Sequence, residues 1–363
     1  MPDCFTRLLT VFNVGSGKTK VFSGGIDSCG GTIHWSSNLK IKMPYQNYII
    51  GKILNDDGGA NGIAAFEEAQ YRTASCQRIV CIGIATGWGR NAENAPEYLQ
   101  YIFDKFHIRI SIISQELEGY IAHKVAGEAF SSDMGGASTQ VGFGFDGKYH
   151  CIKTPFGGEN FHSASEEYLN NTLKSKGLNS SRYRNAQELS GTKTFAIQEL
   201  TKSITPSDLL GLNEAVKSEG ARIGLMGGPY EVVKGLLQGQ QRDPITTISI
   251  YELRSRLEND ILPYLSTINF ETAKEKFPQI PDPQLSDSIA TYVLALLEIL
   301  NPSEKNFQSV KFIDVTPNVA SYVAQHFHKL EKFDVPVEEY IKLEDAPLGG
   351  SLLEDEGSCR IYH

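Results

Sequence analysis

Two short stretches of this chain combine glycine, hydroxyl and charged residues at a spacing that suits phosphate chemistry. The stronger is Ser132-Asp133-Met134-Gly135-Gly136-Ala137-Ser138-Thr139-Gln140. Gly135, Gly136 and the small Ala137 let backbone N–H groups approach an anion, Ser138 and Thr139 add hydroxyl donors, and Asp133 is placed to hold a divalent cation over the same phosphates. Nearer the N-terminus the apolar run Leu8 to Val14 enters Gly15-Ser16-Gly17-Lys18-Thr19-Lys20, and a β-prone Val21-Phe22 follows. Gly17-Lys18-Thr19 has the ending of a Walker A loop. That motif needs glycine where Phe12 stands and a helix afterwards, so a strand-turn-strand phosphate loop is the expectation.

The elements that must position these turns follow from the apolar patterning. Before residue 127 the pattern predicts strands near 7–14, 19–23, 31–42, 78–85 and 108–113, with helices between the later ones, which is α/β organisation. A helix over 92–106 places Ala95, Leu99, Ile102, Phe103 and Phe106 on one face as core, with Asn91 and Asn94 as caps. From Asp133 the strand, glycine turn and strand order restarts and runs into a strand at 149–154, a weak internal repeat. Arg222 to Met226 reads as a buried strand entering Gly227-Gly228-Pro229 and a helix. Gln308 to Val315 is a late strand, and Asn318 to Leu330 a helix.

Composition bounds the setting. At 363 residues and 40% apolar content the chain can bury sizeable cores as one or two domains. It holds no apolar run of the roughly 18 to 20 residues that span a bilayer, and Met1 to Val14 lacks a basic leader, so a cytoplasmic protein without membrane attachment is expected. Six cysteines without a C-x-x-C pair argue against zinc and against a disulfide framework. A net charge of −9 disfavours nucleic acid, and a polyanionic substrate needs a locally positive cleft, for which Lys18, Lys20 and Arg90 are candidates. The eight histidines show no metal spacing. Trp88 reads as packing, and Tyr230 as a surface residue at a helix start.

Four segments in order resemble the exopolyphosphatase and guanosine-pentaphosphate phosphohydrolase family and the related apyrases, within the actin-like ATPase superfamily. They are Asn13-Val14-Gly15-Ser16-Gly17, the stretch Ala85 to Asn94, Ile113-Ser114-Gln115-Glu116-Leu117-Glu118-Gly119, and Asp133 to Gln140. The resemblance implies an α/β, two-lobed actin-like ATPase (ribonuclease H-like) fold with an interlobe cleft. The expected division is a lobe over 1–127, a second over 128–335, and an acidic tail over 336–363 packing on the first.

The resemblance also assigns roles. Glu118 aligns with the carboxylate that positions and deprotonates the attacking water, with Glu116 the runner-up; standing alone, both would read as acids in an exposed first helical turn. Asp133 would hold Mg²⁺ or Ca²⁺ through water, Gln140 would orient the water, and Arg90 would contact phosphate. Lys20 matches the family's basic position, whereas Lys18 replaces a small polar residue. Gly227 and Gly228 are thin support for an adenosine site. Asn13 departs from the family's aspartate and removes one charge near the metal. The lead expectation is metal-dependent hydrolysis of a terminal phosphoanhydride in polyphosphate, guanosine penta- or triphosphate, or a nucleoside tri- or diphosphate. The alternatives are a weakened nucleotide- or polyphosphate-binding regulator and an ATP-dependent kinase of the same superfamily; a homodimer is the expected assembly should the chain associate.

Overall fold

The computed structural model describes residues 6–27, 32–73, 79–173, 182–219, 222–239, 243–301 and 306–330. The described residues up to Leu117 and those from Thr316 onward form one unit, and Glu118–Val315 forms another. The division thus falls ten residues before the expected 127, and the last helix groups with the first unit rather than the second. The tail assigned to 336–363 lies outside the described residues, as do Cys4, Cys29, Cys76 and Cys359.

The first unit is built on a five-stranded sheet of β1 (Thr6–Val14), β2 (Lys18–Asp27), β3 (Ile33–Lys42), β6 (Ile79–Ala85) and β7 (Arg109–Ile112), in the order β3-β2-β1-β6-β7. The first three strands form an antiparallel meander, and β6 and β7 run parallel to β1. A small ribbon, β4 (Ile49–Ile50) with β5 (Ile53–Leu54), leads into α1 (Asp56–Thr73). The short helix α2 (Gly87–Asn91) and then α3 (Ala95–Phe106) connect β6 to β7, as a parallel crossover requires. Their core joins Phe12, Val14 and Val21 of the hairpin to Phe66, Trp88, Leu99 and Ile102.

Helix α3 buries the expected Ala95, Leu99, Ile102 and Phe106, while Phe103 is half-buried. It starts at Ala95 rather than 92, because Pro96 suits a first turn and Ala92 is extended. Neither asparagine caps it by side chain: Asn94 clamps the backbone of Leu54 at both N–H and C=O, and Asn91 donates to Gln46.

Helix α4 (Gln115–Ala126) opens where the first unit ends and continues in the second. The second sheet follows the order β10-β9-β8-β11-β13-β12, with β8 (Phe130–Met134), β9 (Thr139–Phe145), β10 (Lys148–Thr154), β11 (Arg222–Met226), β12 (Thr247–Ser249) and β13 (Ser309–Phe312). Again three strands form an antiparallel meander and two more run parallel to its first strand. The repeat that is weak in sequence is therefore a repeat of topology, with β12 added at one edge.

Helices α5 (Gly158–Leu173), α6 (Ala186–Ser203), α7 (Pro206–Glu219) and α8 (Gly228–Gln238) carry the second unit's connections. The helical run α9 (Ile250–Ser255), a π-helical Arg256–Ile261 and α10 (Leu262–Leu265) follows, with Pro263 in the first turn of α10, and α11 (Phe270–Lys276) comes next. Helix α12 (Ser286–Leu300) is rich in apolar residues, Ile289 to Leu297 almost throughout, and is buried along most of its length. At its start Asp287 forms a fully buried ion pair with Arg184, 2.7 Å apart, and the guanidinium's Nη2 donates to Ser165 Oγ at 3.1 Å. Helix α13 (Thr316–Leu330) packs on β1 and β6 and is pinned by Trp35, whose Nε1 donates to Ser321 over 2.9 Å, which is why it belongs with the first unit.

Candidate active site

The two glycine turns have one backbone design. In the first hairpin Val14 pairs with Thr19 and the Gly15 N–H donates to the Lys18 carbonyl at 3.0 Å; in the second Met134 pairs with Thr139 and the Gly135 N–H donates to Ser138 at 2.9 Å. Counting along these registers, Asn13 of one hairpin corresponds to Asp133 of the other, and Lys20 to Gln140. A strand, not a helix, follows each turn, as the rejection of a P-loop requires.

The first turn is strapped from below. Met43 donates to the Gly17 carbonyl and Gln46 to that of Ser16, while Trp88 reaches the Val14 carbonyl at 3.0 Å through its indole N–H. Trp88 is fully buried and stacks on Tyr45 at 4.3 Å, so it is packing, as expected. Arg90 stands near the end of α2, half-buried, with one guanidinium nitrogen donating to the Ile113 carbonyl at 2.9 Å. This tie orients the planar guanidinium. Asn13, Gly15, Ser16, Gly17, Lys18, Lys20, Arg90 and Glu116 all lie in the first unit.

Glu118, Asp133, the turn Gly135 to Thr139, Gln140, Gly227 and Gly228 lie in the second unit. The carbonyls of Gly135, Gly136 and Ala137 are taken by the N–H groups of Gly158, Glu159 and Asn160 and by the Asn160 side chain at the start of α5. These bonds hold the turn against the start of α5. Thr139 is buried and donates its hydroxyl to the Phe156 carbonyl at 2.7 Å, so it braces the turn instead of standing open to a ligand. The Gly157-Gly158-Glu159-Asn160 brace went unnoticed in the sequence, although a glycine pair entering a helix was a legible signal.

Glu118 meets Gln140 here. Ser114 accepts from the Leu117 N–H and so starts α4, which sets Glu118 in the helix's first turn, half-buried. Gly119 next to it lies against β9 and β10; a Cβ there would fall 2.9 Å from the Gln140 Cβ and 3.1 Å from the Cys151 sulfur. The close approach brings Gln140 Nε2 to 3.3 Å from Glu118 Oε2 and 3.0 Å from Ser138 Oγ. Gln140 Oε1 is buried with no hydrogen-bond partner. Glu116, two residues away on the same helix, cannot share that direction.

Asp133 pairs across the sheet with Gln140 and with Met226. Gly227 takes φ +103°, and a Cβ there would lie 2.2 Å from the Met134 carbonyl oxygen and 2.9 Å from Asp133 Oδ1, so glycine is required to leave the carboxylate its place. Among the described residues no group of three His, Cys, Asp or Glu side chains converges. A hard cation sharing phosphate ligands takes only one or two carboxylates, which fits the Asp133 cradle.

Tyr230 is a correction. It is fully buried, its hydroxyl lies 2.6 Å from Ser132 Oγ, and burial pushes its pKa far up. It anchors α8 under the second hairpin rather than lying on the surface. His123 on α4 contacts Ser131 at 3.0 Å, and burial, with Lys124 nearby, lowers its pKa to about 4.

No family model and no curated protein matches the chain. Solved structures do. A Ppx/GppA family member from Aquifex aeolicus aligns over 85% of this chain and 94% of its own at TM-score 0.59 and 18% identity. An exopolyphosphatase from Cytophaga hutchinsonii aligns over 90% and 99% at TM-score 0.60 and 12% identity, and an exopolyphosphatase-like protein over 89% and 99% at 0.62 and 12%. The chain has the fold of these Ppx/GppA and exopolyphosphatase structures. Within that fold, the described residues contain no helix long and apolar enough to cross a membrane.

Proposed function

We propose that the chain hydrolyses terminal phosphoanhydride bonds, with Glu118 activating the water. The carrying observation is the Glu118 and Gln140 pair, 3.3 Å apart beside a glycine turn, with Gln140 Oε1 buried and unsatisfied. A buried orphan acceptor is costly, on the order of 1 to 3 kcal/mol, and a water donating to it removes that cost. The same water placed against Glu118 can pass it a proton as it attacks phosphorus, which needs no protein nucleophile. The backbone N–H groups of the second turn would stabilise charge on phosphoryl oxygens.

Asp133 would hold Mg²⁺ or Ca²⁺, and Asn13 is the corresponding carboxamide of the first hairpin. When bound, the cation neutralises the phosphate oxygens. The fold is shared by an exopolyphosphatase and an exopolyphosphatase-like protein, which supports inorganic polyphosphate first, with guanosine penta- or triphosphate and nucleoside tri- or diphosphates as the other substrates. The proposed setting is the cytoplasm; Cys81 and Cys151 form no disulfide.

Asn13 supports a second reading, a phosphate-chain binding protein with weakened chemistry. Phosphate release from each of these substrates, with Mg²⁺ or Ca²⁺, separates the two. Turnover of one substrate class supports the hydrolase; binding without turnover, with release gained in Asn13→Asp, supports the regulator.

A further inference from the structure

Asn160 makes more hydrogen bonds than the start of a helix needs. It is the third residue of α5, whose first turn closes when the Phe161 N–H donates to the Gly157 carbonyl. Its Oδ1 accepts from the Gly157 N–H at 2.7 Å, the return half of a capping box. A carboxylate would serve there equally, and its charge would suit the helix N-terminus. The amide adds two donations that no carboxylate makes, from Nδ2 to the Ala137 carbonyl at 2.7 Å and to the Pro155 carbonyl at 2.9 Å. Reversing the amide would set nitrogen against an N–H and oxygen against two carbonyls, so its partners fix this orientation.

The Ala137 bond completes a series. Gly158 donates to the Gly135 carbonyl at 2.9 Å, and Glu159 and Asn160 donate to that of Gly136 at 2.9 and 3.1 Å. Three successive carbonyls of the second glycine turn therefore face α5. In a planar trans peptide the C=O and the N–H of the next residue point opposite ways. The N–H groups of Gly136, Ala137 and Ser138 are thus directed away from α5, in the arrangement that receives an anion. Backbone N–H groups hold the first two of these peptides, and the Asn160 side chain holds the third.

The helix that carries Asn160 is itself fixed. A Cβ on Gly158 would lie 2.7 Å from Pro229 Cγ and 3.1 Å from Ile289 Cδ1, so α5 begins in close contact with α8 and α12. Further along, His162 Nδ1 lies 2.9 Å from Ser288 Oγ, and Ser165 accepts from Arg184, which pairs with Asp287. Replacing such a buried pair by apolar residues is often neutral for stability; here the pair ties α5 to the start of α12.

We infer that Asn160 is a positioning residue for the proposed hydrolysis, turning the peptide between Ala137 and Ser138 so that the Ser138 N–H faces the phosphoryl oxygens. This rests on the phosphoanhydride reading and adds to it a residue that acts through the turn. Charge grows on those oxygens as the bond breaks, so a misdirected N–H costs more in the transition state than in binding.

The test measures phosphate release from tripolyphosphate with Mg²⁺, and equilibrium binding of tripolyphosphate, in the wild type, Asn160→Asp and Asn160→Ala. The Asp variant keeps the acceptor for Gly157 and loses both donations, whereas the Ala variant loses all three bonds. Both should lose about tenfold in kcat, with KM raised no more than about threefold, at a temperature where circular dichroism shows each folded. A residue that only starts the helix would leave Asn160→Asp with the wild-type kcat, and that result overturns the inference. Should Asn160→Asp not fold, wild-type kcat in the uncharged Asn160→Ala overturns it equally. If the wild type binds tripolyphosphate without releasing phosphate, binding weakened about threefold in the variants keeps the positioning role and overturns the hydrolase. Unchanged or absent binding in that case overturns both.

Discussion

At the scale of single residues, the chemistry rests on an amide and a carboxylate that face one another. Gln140 cannot act as a base, so in the proposed reaction it positions the water and Glu118 takes the proton. Glu118→Gln should lower turnover by about 10² to 10⁴-fold with little change in substrate binding, read as a fall in kcat at constant KM. Gln140→Ala, measured in the same assay, should cost less than Glu118→Gln, since the carboxylate remains. If Asn13 serves the proposed cation, Asn13→Asp adds a charge for it, and titration of Mg²⁺ or Ca²⁺ should show tighter binding by about ten- to hundredfold. The residue types and order of both turns were legible from sequence alone, because glycine turns between β-prone runs have a local cause. The partner of Glu118 was not legible, since the contact between α4 and β9 depends on a helix crossing a sheet at Gly119.

At the scale of elements, the site depends on close approaches that tolerate no Cβ. Gly227→Ala forces an L residue into positive φ and drives a methyl into the Met134 carbonyl; unfolding measurements should show a loss of about 2 kcal/mol or more. Helix α12 is held at its start by the Arg184 and Asp287 pair, and Asp287→Ala should cost about 3 to 5 kcal/mol by leaving the guanidinium buried alone. Local patterning located α3 and its core face, yet missed its first residue because Asn94 serves the backbone of Leu54 rather than the helix. Tyr230 was misread for a similar reason: a lone aromatic after Gly-Pro gives no period from which burial could be inferred.

At the scale of the whole molecule, one topology occurs twice, and each copy carries its own core and its own glycine turn. Sequence patterning revealed that repeat but not where the units divide, because the packing of α13 on β1 and β6 joins residues some three hundred positions apart. The fold also couples to pH through His123. Its pKa is lowered from 6.5 to about 4, first by burial, so the folded chain refuses a proton that the unfolded chain accepts. Stability should therefore decline as pH falls from about 6.5 to about 4, at up to about 1.4 kcal/mol per pH unit, and His123→Phe should flatten that part of the curve in a thermal unfolding series.

The central claim is that Glu118 drives water onto a terminal phosphate. Phosphate release from polyphosphate, with Mg²⁺, by the wild type and Glu118→Gln at matched substrate occupancy tests it most directly. The account predicts steady release by the wild type and near-complete loss in the variant, with binding retained. Equal release by both proteins would contradict it.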